Sequence, residues 1–566
     1  MSKAKPLLSV PLLLLVVACG ASDNGVSGEA GKDGAQKPVA SISAERIRAH
    51  LEYLADDERE GRLTGEPGYL AAADYVAAQF EQYGLEPGGE DEGWFQQVPL
   101  QSYLIDSDST SMIAHRDGED RQLVYRDDYS MGGDPVRSET GVRAEVVYAG
   151  YGVHAPEFGY SDYEDVDVEG KIIAIFGRAP AVLSHNERAY YSSSRTKYQE
   201  AVKRGAVGII SLRTRYNEEM FPWERVKEMT GKKPGMSWVT LSDTPEGYHP
   251  EIKGAVYLSA AAAAELFAGT PISFEEALDA AEEGKVASVP LGVEVTLSRR
   301  TQHERISSPN VIGIVRGSDP ELASEYIVYS GHLDGLGRGE AVDGDDIYNG
   351  AYDNAIGVSL LLESARIMAA SPPKRSVIFI AVTGEEKGLL GSDYFAHYPT
   401  VPIESIVANV NLDMTLFLFP VADVIAFGAE HSSLEPIVQE ALAAEGFELT
   451  PDPMPQEVVF IRSDQYSFVR QGVPATFLVT GYKSTDASID GEAAVINFRK
   501  QHYHRPSDDL SLPIDWDSAV RFARANTSIG YKLGNATTRP SWNEGDFFGE
   551  KFAKARMRQV AEPQPE

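Results

Sequence analysis

The chain has 566 residues, 43% of them apolar, and a formal net charge of −34. This length and apolar content bury a large core, most simply in two domains. The charge argues against nucleic-acid binding, which needs clustered Lys and Arg against phosphates, and otherwise marks a well-solvated surface that disfavours acidic ligands at long range.

Residues 1–18 begin with Lys3 and Lys5 and run into an apolar stretch from Leu7 to Ala18, broken only by Ser9 and Pro11. This is too short to span a bilayer and fits the apolar region of a secretory signal. It ends Val16-Val17-Ala18-Cys19, small residues before the single cysteine of the chain. That pattern resembles a bacterial lipoprotein signal. It implies lipidation of Cys19, export, and a lipid anchor in the membrane of the cell envelope, on the periplasmic or extracellular side. No cysteine is then left for a disulfide. Residues 19–40, rich in Gly, Ser, Asp and Lys, read as a flexible tether. No other apolar run is long enough to be transmembrane.

Residues 41–108 open the main domain. Ile47, Leu51 and Leu54 share one helical face, and a second helix from Gly68 carries Leu70, Ala73, Tyr75, Val76 and Phe80 before Gly84 stops it. Between them lies the polar loop Asp56 to Gly65. Residues 109–297 change texture. Short β-type runs stand at 144–149, 171–176 and 206–211, and short helices at 259–268 and 274–284. His115, His154, His185 and His249 fall in this stretch without an acid at ligand spacing, so it reads as an inserted β-rich domain. From 298 to 540 strands and helices alternate: strands at 310–315, 326–330, 376–382, 406–412, 424–427 and 475–480, helices at 355–370, 389–397, 434–445 and 516–533. The fold class is α/β, with a mixed, mainly parallel sheet flanked by helices. Residues 541–566 read as a polar, loosely ordered tail.

The chemistry collects at strand ends, where open α/β sheets place their sites. His332 follows the strand at 326, with Asp334 two residues on as a partner that can fix the imidazole tautomer. Asp353 precedes a helix and suits either an N-cap or a carboxylate shared by two metal ions. Strand 376–382 ends in Gly384-Glu385-Glu386, where adjacent carboxylates can point apart, Glu386 as a ligand and Glu385 as a general base. Asp413 follows strand 406–412. His502 and His504 compete for the last ligand place, and Asp508 or Asp509 can bond nearby backbone. Two His, two Asp and one Glu suffice for two Zn2+ ions with one carboxylate left as base.

The stretches Gly331-His332-Leu333-Asp334, Tyr352-Asp353-Asn354-Ala355-Ile356-Gly357, Gly384 to Ser392, Asn411-Leu412-Asp413-Met414 and Tyr503 to Asp509 resemble the co-catalytic zinc aminopeptidase family, which also includes glutamate carboxypeptidase and the transferrin receptor. The resemblance covers residues 308–509 and the N-terminal helices. It implies His332 and Asp413 on one zinc, Glu386 and His504 on the other, Asp353 bridging and Glu385 as base. It also implies a protease-associated-like domain for residues 109–297, and peptide substrates cleaved at the N-terminal bond. Gln465 stands where the family usually has His, and the chain between Gly481 and Tyr503 is longer than in short members. Tyr482 is a candidate to polarise the scissile carbonyl. Carboxypeptidase or acyl-amino-acid hydrolase activity on the same scaffold, and a non-catalytic surface binding protein, are the alternatives. No arginine-rich carboxylate pocket is legible in the sequence, and neither is an oligomeric state.

Overall fold

The computed structural model describes residues 39–554. The signal peptide, Cys19 and nearly all of the tether lie outside the described residues. Among those residues no helix is long and apolar enough to cross a membrane.

Helix Ala44–Leu54 buries Ile47, Leu51 and Leu54, as the apolar spacing requires. Helix Pro67–Tyr83 starts with proline in its first turn and ends at Gly84, whose φ of 80° suits a glycine C-cap. The loop between them is a tight double turn, Asp57–Arg62, with Glu60 and Gly61 both left-handed. A Cβ on Gly61 would stand 2.4 Å from the carbonyl oxygen of Tyr348, so only glycine lets the two loops approach.

The centre of the main sheet is four parallel strands in the order Ser376–Val382, Tyr326–His332, Ile406–Leu412 and Ala475–Thr480. Antiparallel strands flank them, Val289–Val315 on one side and Asp423–Phe427 on the other. Every residue of the first three central strands is buried, because helices cover both faces. Ile327 and Tyr329 pack with helix Ile356–Ala370 and the N-terminal helices, while Tyr326 and Val328 point the other way, toward Phe395 and Phe468. The mixed, mainly parallel α/β architecture therefore stands as the sequence pattern indicates.

A second sheet with its own apolar core forms from strands between 111 and 300. One 27-residue strand, Val289–Val315, joins the two sheets. Its first part pairs with Glu139–Tyr148 and Ser111–Arg116, its second with Phe95–Ile105 and Ser376–Val382. The expected boundary at 297 therefore falls inside a continuous strand. The charged residues Arg299, Arg300, Glu304 and Arg305 hide that strand's continuity in the sequence. Strand Gly235–Trp238, within the expected insertion, crosses back to pair with Phe95–Ile105.

Other elements were not legible from periodicity: strand Phe95–Ile105 and the helices His185–Ser192, Arg215–Met220, Trp223–Met229 and Gly491–Gln501. The acids Asp343, Asp345 and Asp346 belong to a hairpin of Gly337–Val342 with Asp345–Tyr348. Its turn is Asp343-Gly344, both at positive φ, the usual hairpin chemistry.

The reading of 541–566 as a loosely ordered tail is corrected for residues 541–554. Trp542, Phe547, Phe548 and Phe552 pack with Phe460, Tyr466 and Phe477 of the main domain and with Ala189 and Tyr190 of the insertion. Phe548 is fully buried. Aromatic burial outweighs the polarity of the residues between these rings, of which Asn543 and Glu544 are exposed and Asp546 lies 2.7 Å from the ring nitrogen Nδ1 of His431. Phe548→Ala should lower stability by about 3–5 kcal/mol, read as a shift of the denaturant midpoint. A loose tail would leave the midpoint unmoved.

Candidate metal centre

The C-terminal edge of the parallel strands presents the site. His332 is the last residue of its strand, Asp413 the first after its strand, and Glu385 and Glu386 lie in the turn after Ser376–Val382. Nε2 of His332 lies 3.2 Å from Oδ1 of Asp353 and 3.2 Å from Oδ1 of Asp413. Nε2 of His504 lies 3.2 Å from Oδ2 of Asp353 and 3.2 Å from Oε2 of Glu386. Asp353 thus gives one oxygen to each of two triads, His332–Asp353–Asp413 and Asp353–Glu386–His504, whose ligand atoms all lie within 4.8 Å of one another. A tetrahedral ion with ligands near 2.0 Å has edges of about 3.3 Å, so the four separations fit a small cation in each triad. Imidazole with carboxylate is a donor set that suits zinc.

The electrostatics show the same demand for positive charge. Burial by itself lowers the proton affinity of His332, but the Asp413, Glu385 and Asp353 carboxylates overcome it and hold the imidazole well above its usual range. Burial likewise opposes protonation of His504, and Glu386 and Asp353 outweigh it, raising the imidazole to about 10. Burial raises Asp353, yet its two imidazole neighbours win and keep it below the usual carboxylate range. Glu385 is pushed well above the ordinary range, by burial first and then by the Asp413, Asp464 and Glu386 carboxylates, against the pull of His332.

The surrounding chain fixes these groups. Asp334 was expected to orient His332 through its carboxylate. Instead the Nδ1–H of His332 donates to the Asp334 backbone carbonyl at 3.1 Å, and the nearest carboxylate oxygen is 3.9 Å away. That carboxylate accepts the amides of Glu385 at 3.0 Å and Glu386 at 3.3 Å, and the Thr64 hydroxyl at 3.1 Å. Asp334 therefore aims the glutamate pair. A two-residue turn brings its carboxylate nearer to the next strand's loop than to its own imidazole.

Asp353 is not an N-cap. Its neighbour Asn354 accepts the Gly357 amide at 3.1 Å and donates to the Leu412 carbonyl at 2.9 Å. The Asp353–Asn354 peptide is cis. Asp508, rather than Asp509, holds this segment, accepting the amides of Tyr352 at 2.9 Å and Asp353 at 3.0 Å. The Ser463 hydroxyl donates to Asp413 at 2.6 Å and accepts from Asn411 at 2.8 Å. Gln465, at the position of departure from the family pattern, is fully buried. Its amide bonds Asn411 and the Phe460 carbonyl, so it braces the wall behind the site.

Of the two competing histidines, His504 joins the cluster, while Nδ1 of His502 lies 3.0 Å from the Ser507 hydroxyl. Arg62 had no assigned part. It is buried, and its guanidinium donates to the carbonyls of Leu333, Leu54, Asn349 and Gly350 at 2.6–3.0 Å. It ties the N-terminal helices to the loops that follow His332 and precede Asp353. Only the phrase Glu60-Gly61-Arg62-Leu63-Thr64-Gly65 hinted at it.

A cavity of about 390 Å³ opens on Asp353, Glu385, Asp413 and His504. Tyr482 lines it, as do Met414, Arg462 and Arg499 of the main domain. Arg178, Arg213, Tyr216 and Phe221 close it from the inserted segment.

Known proteins resemble the chain in both sequence and fold. A "Probable zinc metalloprotease" of Pyrenophora teres f. teres is 37% identical over 117 residues, 20% of this chain and 24% of that protein. The "Aminopeptidase NAALADL1" of Mus musculus is 32% identical over 138 residues, 23% of this chain and 17% of that protein. The matched stretches thus span a quarter or less of these relatives. The solved structure of an aminopeptidase from Aneurinibacillus sp. strain AM-1 shares the fold, with a TM-score of 0.53 at 20% identity over 89% of this chain and 97% of that one. Residues 310–529, which contain all five ligand candidates and Glu385, match the family model of Peptidase family M28.

Proposed function

We propose that the chain is a zinc-dependent exopeptidase that hydrolyses the N-terminal peptide bond of peptides. The observation that carries this reading is the division of the Asp353 carboxylate between two histidine-bearing triads at the edge of one cavity. The match to Peptidase family M28 and the names of the relatives support it. His332, Asp353 and Asp413 would hold one zinc, and Asp353, Glu386 and His504 a second. When bound, zinc acidifies a coordinated water toward neutrality and polarises the scissile carbonyl.

The remaining steps belong to side chains. The Glu385 carboxylate, aimed by the Asp334 contact with its amide, takes a proton from the attacking water and returns it to the departing amine nitrogen. Tyr482, half-buried in the cavity wall, would donate its hydroxyl to the carbonyl oxygen. We assign residues 109–297 as a protease-associated-like domain on the strength of their separate sheet and core. The lipid anchor at Cys19 and an exported location rest on the signal pattern alone.

One observation favours a carboxypeptidase as the second reading. Four arginines line the cavity, a feature not visible in the sequence. Arg178 and Arg462 share Glu457, at 3.2 and 2.7 Å, and Arg213 is bonded to Glu218. Three of these four arginines are therefore already engaged by carboxylates within the wall, which favours the aminopeptidase reading. Release of aminoacyl-anilides with inertness toward N-blocked dipeptides is the expected result. The reverse preference would install the second reading.

Glu385→Gln should retain zinc by metal analysis and lose about 10²–10⁴-fold in kcat. Full activity would remove Glu385 from the mechanism. The base works ionised, so activity falls as pH drops through its pKa, which burial and neighbouring carboxylates place above the ordinary value of about 4.3.

A further inference from the structure

Four contacts join a short stretch of the inserted segment to helix Gly491–Gln501 and the loop after it, which carries His504. Arg225, in helix Trp223–Met229, is buried. Its Nη2 donates to the carbonyl of Tyr503 at 2.6 Å and its Nη1 to the carbonyl of Arg499 at 3.4 Å. The guanidinium lies over the ring of Phe221, 4.3 Å from its centroid. Beside it Glu228 lies 3.7 Å from Arg505, and Glu219 lies 3.5 Å from Lys500. Arg499 sits in the last turn of helix Gly491–Gln501. The last carbonyls of a helix have no donor within it, and a cation there also meets the negative end of the helix dipole. Arg225 thus caps this helix and grips the carbonyl of the residue immediately before His504.

That grip bears on a strained residue. His504 has a φ of 57°, a left-handed conformation uncommon outside glycine. Its imidazole is stacked on Tyr503, with centroids 3.8 Å apart. The conformation that turns Nε2 toward Asp353 and Glu386 therefore needs to be imposed from outside the loop. The two triads differ in this respect. His332 ends a central strand and Asp413 directly follows one, so the sheet fixes both. Glu386 and His504 stand on loops, and the His504 loop leans on the insertion.

We propose that Arg225 is a positioning residue for the second triad. Through it the inserted segment sets the affinity of the ion held by Glu386 and His504, and leaves the position of His332 and Asp413 alone. The insertion then acts as a brace for the metal centre besides walling its cavity. This rests on the two-zinc reading above.

The test is zinc titration of the metal-stripped full chain against a chromophoric chelator, for the wild type, Arg225→Ala and Arg225→Lys. The wild type should take up two zinc ions with separable affinities. In Arg225→Ala one of the two affinities, that of the Glu386–His504 triad, should fall about 10–100-fold, as it does when groups that orient metal ligands are removed, with the other unchanged. Arg225→Lys keeps the charge and one donor and should fall between the two. It is also the working variant if the alanine form is not recovered folded. A purely structural role would shift the unfolding midpoint without changing the ratio of the two affinities. An unchanged ratio in both variants, or an equal fall at both positions, overturns the proposal while leaving the two-zinc reading intact. A wild type that binds fewer than two zinc ions overturns that reading, and the proposal with it.

Discussion

The structure around the site depends on one carboxylate shared by two imidazoles. Asp353 places an oxygen 3.2 Å from His332 and another 3.2 Å from His504, and those two histidines come from chain positions 172 residues apart. Around them the Glu385, Glu386 and Asp413 carboxylates crowd into the same small volume. Buried like charges repel strongly in a poorly polarisable interior. The arrangement is stable only with positive charge in its midst, supplied by protons on the imidazoles or by cations in the triads. The altered proton affinities of His332, Glu385 and His504 express that demand.

What keeps the crowd in register is the backbone at the strand ends. Strands that stop in a parallel sheet leave amides and carbonyls without ladder partners, and buried backbone groups must find others. Here Asp334 takes the amides of the glutamate pair, Asp508 takes the amides of Tyr352 and Asp353, and Asn354 takes the Leu412 carbonyl. Arg62 spends its donors on four carbonyls, yet its charge stands near Asp334, Asp508, Asp353 and Glu386. Burial raises Asp334 to about 6 and Asp508 to about 7. These two acids therefore carry a desolvation cost, which their amide bonds and the nearby Arg62 charge partly offset.

The same logic divides the two triads. The His332 side is held by the central sheet, the most deeply buried part of the molecule. The His504 side is held by loops, and the His504 loop leans on helix Trp223–Met229 of the inserted segment, whose sheet shares the strand Val289–Val315 with the first. Metal site, cavity wall and inserted segment are therefore one mechanical system. The aromatic residues at 542–552 add to it by packing against both Tyr466 and Tyr190.

The sequence by itself determined the α/β class, the central strands and the candidate ligands. The apolar, β-branched run 377–382, too short for a helix of ordinary length, reads as a strand buried on both faces, and acids or histidines at the ends of such strands have one edge to share. Local pattern could not reveal which side chain meets which backbone amide. Asp334 lies two residues from His332, yet its carboxylate serves Glu385 and Glu386, some fifty residues away. His502 and His504 are alike in composition and neighbourhood, and only the left-handed turn at 504 chooses between them. Arg62 and Arg225 looked like ordinary polar residues, Asp508 was not distinguished from Asp509, Gln465 was marked only by its departure from the family pattern, and the four arginines of the cavity come from both the insertion and the main domain. Their roles come from contacts across 50 to about 290 residues of chain, between groups whose spacing in sequence carries no trace of their spacing in space. Local periodicity records which face of an element is buried. Tertiary structure decides which polar groups meet in that buried volume, because each one removed from water needs a partner there.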